Sequence, residues 1–340
     1  MLDFFAQYGL FLAKTVTLLA AFVIAVGMVA NLAQQARGHG HERLEVKSLN
    51  QRLKDMAAAL DAELLDKSAR KAQAKTRKAE EKAERQARKH GHARERPRVF
   101  VLDFRGDVRA AQTAALREEI SSLLQVAKEH DEVLLRLESP GGMVHGYGLA
   151  ASQLQRIRDR RIKLTAAVDK VAASGGYLMA CVADRIVAAP FAILGSIGVV
   201  AQLPNFNRAL KSHDIDFELH TAGQYKRTLT MFGENTDEAR AKFKQELEDV
   251  HALFKSFVTQ NRPHLPIEQV ATGEHWYGTR ALALKLIDEI KTSDDWLLDR
   301  AKDADLIEVH YKPRVSLSDR IAHGFARLRG EPPHEGPMLL

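Results

Sequence analysis

The sequence predicts an α/β fold, a largely parallel sheet covered by helices, with its chemistry in the loops that follow the strands. Three observations predict it. From Pro97 to about Tyr311, short apolar runs alternate with amphipathic segments, as strand and helix do in such folds. Two of those runs, VLLRLE and KLTAAVDK, lead within a few residues into the glycine turns ESPGG and ASGG, where ligands bind in open parallel sheets. The 340 residues, 45% of them hydrophobic, are also enough to bury a sizeable core.

Residues 1–33 are expected to form a single-pass membrane anchor. No charged residue lies between Thr15 and Ala33, and the run VTLLAAFVIAVGMVA suits a bilayer core of about 30 Å. Phe4, Phe5, Tyr8 and Phe11 precede it, as aromatic side chains do at a membrane interface. A cleaved signal peptide is the competing reading, because Gly27, Ala30 and Ala33 are small; the length of the run favours a retained anchor. Arg37, Arg43 and Lys47 follow it, and the positive-inside bias taken alone would leave the large domain in the cytoplasm.

Residues 34–97 read as a charged helical or disordered spacer, rich in Ala, Lys, Arg, Glu and Gln. The formal net charge of +6 comes largely from Arg37 to Arg98, and the rest of the chain is close to balanced. A basic arm on lipid headgroups or nucleic acid is the functional alternative to a solvated stalk, and nucleic acid is not the expected partner. The HGH strings at His39–His41 and His90–His92 lack cysteine partners and a folded setting, so no metal site is expected.

Residues 98–311 carry the alternating pattern. Strands are expected at Arg98–Phe104, Val133–Glu138, Lys163–Val168, Arg185–Ala189 and Asp216–His220. Helices are expected at Ala111–Glu129, Gly146–Arg160, Ser174–Val182, Asn205–Ser212 and Thr236–Asn261. Residues 312–340 form a tail, amphipathic and then unstructured. The lone Cys181, in YLMACVA, excludes an intrachain disulfide and reads as a buried structural thiol.

Three segments could carry chemistry. In ESPGGMVHGYG, adjacent glycines let backbone amides point into a site and hold a developing oxyanion; the alternative is a plain tight turn. In KVAASGGYLMACVAD, Ser174 opens a short apolar helix, so it is either an exposed nucleophile with the Gly175 amide beside it or a helix N-cap. In FAILGSIGVVAQ, glycines bracket Ser196, so the segment either offers a hydroxyl that could orient a base or is a simple tight turn under the core.

A serine nucleophile needs a base. His145, His213 and His220 would serve in a Ser-His-Asp arrangement, but none sits in a recognisable triad context. Lys226, in HTAGQYKRTLTMFGEN, is the other candidate. A lysine acts as base only when burial or a cationic neighbour keeps it neutral, and Arg227, Leu229, Met231 and Phe232 could do both.

Taken in order, SPGG, AASGGY, GSIGV and GQYK resemble the signal peptide peptidase A family of serine proteases, which use a Ser-Lys dyad; the likeness covers roughly Pro97 to Ile290. The strings RLESPGGMVHGYGLAASQLQR, VDKVAASGGY and TGEHWYG resemble an inner-membrane branch of it. The resemblance implies a ββα superhelix of the crotonase and ClpP type, a tendency to homo-oligomers, Ser174 as nucleophile and Lys226 as base. It further implies Gly141, Gly142 and Gly175 in the oxyanion loops, Ser196 as the lysine-orienting hydroxyl, and no cofactor or metal. Substrates would be hydrophobic peptides such as released signal peptides, cut beside the inner membrane, on the periplasmic side by family habit and against the basic flank. The rivals are an acyl-CoA enzyme of the same fold, which needs no serine nucleophile, and a non-catalytic, membrane-anchored peptide-binding scaffold.

Overall fold

The structure, a computed structural model, describes residues 8–23, 43–89, 96–223 and 225–312. The chain divides into two units, residues 45–310 and the terminal segments 1–44 and 311–340. In the terminal unit, residues 8–23 are helical and exposed along their length. They hold the middle of the expected anchor; its residues 1–7, with Phe4 and Phe5, and 24–33 lie outside the described residues, as do both HGH strings and the tail from residue 313. Among the described residues no helix is long and apolar enough to cross a membrane.

The strands are β1 (Arg43–Ser48), β2 (Arg98–Arg105), β3 (Glu132–Glu138), β4 (Lys163–Val168), β5 (Val171–Ala173), β6 (Arg185–Ala188), β7 (Ile193–Gly195), β8 (His275–Tyr277), β9 (Glu289–Ile290) and β10 (Asp305–Lys312). The helices, leaving residues 8–23 aside, are α1 (Leu49–Leu64), α2 (Lys67–Lys89), α3 (Thr113–Leu123), α4 (Val144–Asp159), α5 (Gly175–Ala180), α6 (Asn207–Lys211), α7 (Asp237–Asn261), α8 (Ile267–Val270), α9 (Gly278–Ala283) and α10 (Ser293–Arg300).

Seven strands form one sheet in the order β1-β10-β2-β3-β4-β6-β9, and β5-β7-β8 form a second. From β10 to β9 every pairing in the large sheet is parallel. Parallel sheets are covered on both faces, so their strands read as continuous apolar runs. Accordingly Val99, Val101 and Leu102 of β2 and Val133, Leu134 and Leu135 of β3 are all fully buried. Helix starts follow local chemistry: Thr236 caps α7 by accepting from the Ala239 amide at 3.1 Å, and Thr292 caps α10 through the Asp295 amide at 3.1 Å.

Four of the five expected strands appear within a residue of their expected ends. The fifth, Asp216–His220, is exposed and irregular. Its apolar residues alternate as a half-buried strand requires, but it pairs with no described strand, and backbone groups left without a ladder stay in water. The expected helix Ala111–Glu129 stops at Leu123, beyond which the buried Asp131 carboxylate takes the Lys128 amide at 2.8 Å. The three-residue strands β5, β7 and β8 are too short to show a period.

The segment read as a spacer is not uniform. Its residues 43–48 form β1, Leu49 is buried in the core beside Trp296 and Leu306, and Asn50 is clamped to the chain between α10 and β10. Only beyond these does the chain become the exposed, charged helix α2 that its composition predicts.

Candidate active site

Several strands end at one place. After β2, the Gly106 amide donates to the Glu138 carbonyl at 2.8 Å. After β3, Ser139 leaves the large sheet to pair with β5: its amide donates to the Val171 carbonyl at 2.8 Å, and the Ala173 amide donates back to the Ser139 carbonyl at 3.0 Å. β5 and β7 run parallel with Ala173 opposite Gly195. The turns that begin at Gly106, Ser139, Ser174 and Ser196 therefore meet at the carboxyl ends of their strands, the usual place for a site in such sheets.

Ser174 leaves β5 with φ 51° and ψ −118°, a conformation that costs a residue with a side chain on the order of 1–3 kcal/mol. Hydrogen bonds on both sides hold it there: its amide donates to the Gly195 carbonyl at 2.8 Å, and its carbonyl accepts from the Leu178 amide at 3.0 Å. Serine at this position could have been a plain N-cap, but its side chain caps nothing. The strained turn presents a half-buried hydroxyl that makes no hydrogen bond among the described residues.

Gly141 presses directly on that serine. With φ +93°, it occupies a conformation glycine alone adopts freely, and a Cβ there would sit 2.7 Å from Ser174 Cβ and 2.8 Å from the Gly175 nitrogen. Its own amide is committed, donating to the buried Ser139 Oγ at 3.1 Å. The amides of Gly142 and Gly175 have no such duty among the described residues; Gly175 is the first residue of α5, where an amide has no acceptor within its helix. A Cβ on Gly142 would run into the Val108 backbone, and one on Gly175 into the Tyr147 ring. Two uncommitted amides beside an uncommitted hydroxyl are the parts that acyl transfer requires.

Ser196 follows β7 as Ser174 follows β5, also with φ 51°, and its amide donates to the Glu274 carbonyl at 2.6 Å. The structure thus gathers Ser174, Gly141, Gly142, Gly175 and the turn of Ser196. It does not join Lys226 to them by a hydrogen bond. Lys226 is exposed on the segment between β7 and α7, in a turn where its amide donates to the Gly223 carbonyl at 3.1 Å.

The other candidates drop away on geometry. His145 is exposed, His213 Nδ1 lies 2.8 Å from the Ala209 carbonyl, and His220 Nε2 lies 3.2 Å from Glu218; none bonds to Ser174. The Cys181 thiol is buried and donates to the Leu178 carbonyl at 3.2 Å, and burial pushes it far above the usual thiol range. Among the described residues no group of three His, Cys, Asp or Glu side chains is placed to hold a metal.

Two residues were not singled out by sequence. Ser139 and Tyr147 are buried, with their hydroxyls 2.6 Å apart, and Tyr147 also donates to the Asp107 carbonyl at 2.8 Å. Both lie in ESPGGMVHGYG, but nothing in that string distinguishes them from ordinary turn and helix residues.

Two family models match the chain in succession, "Peptidase family S49 N-terminal" over residues 3–154 and "Peptidase family S49" over residues 156–307. The chain belongs to peptidase family S49. The resemblance carried by the four motifs is borne out, and this S49 chain is a serine peptidase. It is similar to "Probable protease SohB" of Haemophilus influenzae, 51% identical over 322 residues that cover 93% of this chain and 91% of that protein. "Probable protease SohB" of Buchnera aphidicola subsp. Schlechtendalia chinensis is 49% identical over 306 residues, covering 88% of this chain and 100% of that one. Among solved structures, a mutant of "1510-N membrane-bound stomatin-specific protease" matches at 14% identity and a TM-score of 0.41, covering 61% of this chain and 86% of that one; a likeness that distant carries no argument.

Proposed function

We propose that this S49 chain is a membrane-anchored serine endopeptidase of the crotonase and ClpP type of fold, with Ser174 as nucleophile and Lys226 as general base. Residues 1–33 form the anchor in the inner membrane, with the peptidase unit on its periplasmic face. The observation that carries the reading is the strained Ser174 turn, whose hydroxyl is uncommitted and lies beside two uncommitted amides.

The uncharged Lys226 amine takes the proton of Ser174 Oγ, and Oγ bonds to the carbonyl carbon of the substrate peptide. The carbonyl electron pair moves onto oxygen, where the amides of Gly142 and Gly175 hold the oxyanion while Gly141 shapes the loop. As the intermediate collapses, the carbon–nitrogen bond breaks and the protonated lysine gives its proton to the leaving amine. Water, deprotonated by the same lysine, then bonds to the acyl carbon, and as the bond from that carbon to Ser174 Oγ breaks the lysine returns the proton to Oγ. Ser196 orients the amine. No step needs a cofactor.

A lysine serves as general base only where burial or a cationic neighbour keeps it neutral, so the segment between β7 and α7 has to be covered for this chemistry. That segment carries an aromatic cluster: Phe206 stacks on Phe232 at 6.1 Å between ring centroids, and Phe217 lies 5.7 Å from Phe232. Phe206, Phe232 and Phe217 are nevertheless 46%, 40% and 43% exposed respectively. Apolar surface of this kind suits hydrophobic peptides, signal-peptide remnants and membrane-associated polypeptides among them, and a second copy of the chain in a homo-oligomer.

The test is covalent labelling of the full chain in detergent by a serine-acylating probe, beside Ser174→Ala and Lys226→Ala. Labelling lost in both variants supports the dyad. Equal labelling in all three overturns it. Truncation at Pro97 is to be avoided, because it would remove β1 and the Asn50 clamp.

A further inference from the structure

We propose that Ser139 and Tyr147 are positioning residues that set the oxyanion amides, by locking the Gly141 loop and the start of α5 to one shared strut. The inference rests on the proposed acyl-transfer function, and it concerns two buried side chains whose hydroxyls make no hydrogen bond to Ser174.

The strut is built from three turns. Tyr147, on the inward face of α4, is fully buried, and its ring lies where a side chain on Gly175 would have to be. Its hydroxyl donates to the Asp107 carbonyl at 2.8 Å, in the turn after β2. The same hydroxyl lies 2.6 Å from Ser139 Oγ, in the turn after β3. Ser139 Oγ in turn accepts the Gly141 amide at 3.1 Å. One phenol therefore ties together the turn after β2, the glycine loop after β3, and the helix that begins behind Ser174.

Two consequences follow for the oxyanion. With the Gly141 amide taken up by Ser139, the adjacent uncommitted amide in that loop is that of Gly142. With the Tyr147 ring behind Gly175, the second amide has a wall that stops it from receding. Gly106 closes the strut from the far side, since a Cβ there would overlap both the Tyr147 and Ser139 hydroxyls, and Gly176 packs its α-carbon against the Ser139 carbonyl. Burial, with the nearby Asp107 carboxylate, raises the Tyr147 phenol above its ordinary range despite the Ser139 hydrogen bond, so it stays a protonated donor at every working pH. Such a set of buried, mutually satisfied hydroxyls holds a unique geometry because any loosening leaves a polar group unpaired.

The test compares full-length wild type with Tyr147→Phe, Ser139→Ala and the double variant on a fluorogenic hydrophobic peptide. Turnover is expressed per site titrated by a serine-acylating probe, so that unfolded molecules drop out. Tyr147→Phe keeps the ring against Gly175 and removes only the hydroxyl. Each single variant is expected to lower kcat per titrated site by about 10- to 100-fold, short of or equal to the loss of an oxyanion donor itself, with KM within about twofold. The double variant is expected to fall little further, because both changes break one network. Unchanged kcat per titrated site in both single variants, or losses that multiply in the double variant, overturns the strut. If a single variant fails to fold, hydrogen exchange of the Gly141 amide in the other decides: faster exchange supports the strut and unchanged exchange overturns it. A wild type whose labelling survives Ser174→Ala would instead remove the acyl-transfer reading, and this inference with it.

Discussion

Ser174 and Ser196 leave neighbouring parallel strands with the same positive φ of 51°, and the Ser174 amide is bonded to the carbonyl of Gly195 at 2.8 Å. Parallel strands lie about 4.8 Å apart, so the register that puts Ala173 opposite Gly195 also sets the two hydroxyl-bearing turns side by side. The site is therefore a property of sheet register as much as of the residues in it.

Gly141→Ala and Gly175→Ala are expected to abolish turnover by different routes. At Gly141 the change forces an L-residue into φ +93° against Ser174 Cβ, a strain of about 1–2 kcal/mol before any clash. At Gly175 it drives a methyl group into the Tyr147 ring, and overpacking of that kind costs about 1–3 kcal/mol. Thermal unfolding alongside peptide turnover checks both, and full activity in either variant would remove that glycine from the site.

Cys181 is expected to be inert. In the folded protein, iodoacetamide should neither modify it nor change turnover, whereas in denaturant the thiol should alkylate stoichiometrically. Mass spectrometry of both samples decides. Loss of activity on native alkylation would restore the cysteine as a functional group.

Asp131 links stability to pH. Burial alone would raise its carboxyl, but the Arg98 side chain and the amides of Lys128 and Arg98 outweigh burial and hold it below the ordinary carboxylate value. A carboxylate depressed in the folded state contributes fully above its unfolded value of about 3.9 and loses that contribution as pH falls through the lower folded value. Asp131→Asn is expected to cost about 1–3 kcal/mol at pH 7 and to flatten the fall in stability below about pH 4. Urea midpoints at pH 7 and pH 3 for both proteins measure it.

Asn50 is expected to hold the start of α1 to the peptidase unit. Its Nδ2 donates to the carbonyls of Ala304 at 3.0 Å and Ala301 at 3.3 Å, and its Oδ1 accepts from the Leu306 amide at 2.6 Å. Asn50→Ala should cost about 1–3 kcal/mol and open residues 43–64 to limited proteolysis. An unchanged cleavage pattern would count against the clamp.

Sequence by itself determined the main strands, the long helix Asp237–Asn261 and the family, because continuous apolar runs, N-caps and glycine motifs are local signals that survive without a partner. It also marked Ser174, Gly141, Gly142, Gly175 and Ser196 as candidates, each with a bland alternative that only the folded chain could weigh. Tertiary structure decided that Ser174 caps nothing, that the Gly141 amide is already spent on Ser139, and that Tyr147 stands behind Gly175. It decided too that Asp216–His220 has no described strand to pair with and that residues 43–50 belong with the sheet. These are relations between segments far apart in the chain, set by register and by which buried groups find partners, and a linear pattern carries neither.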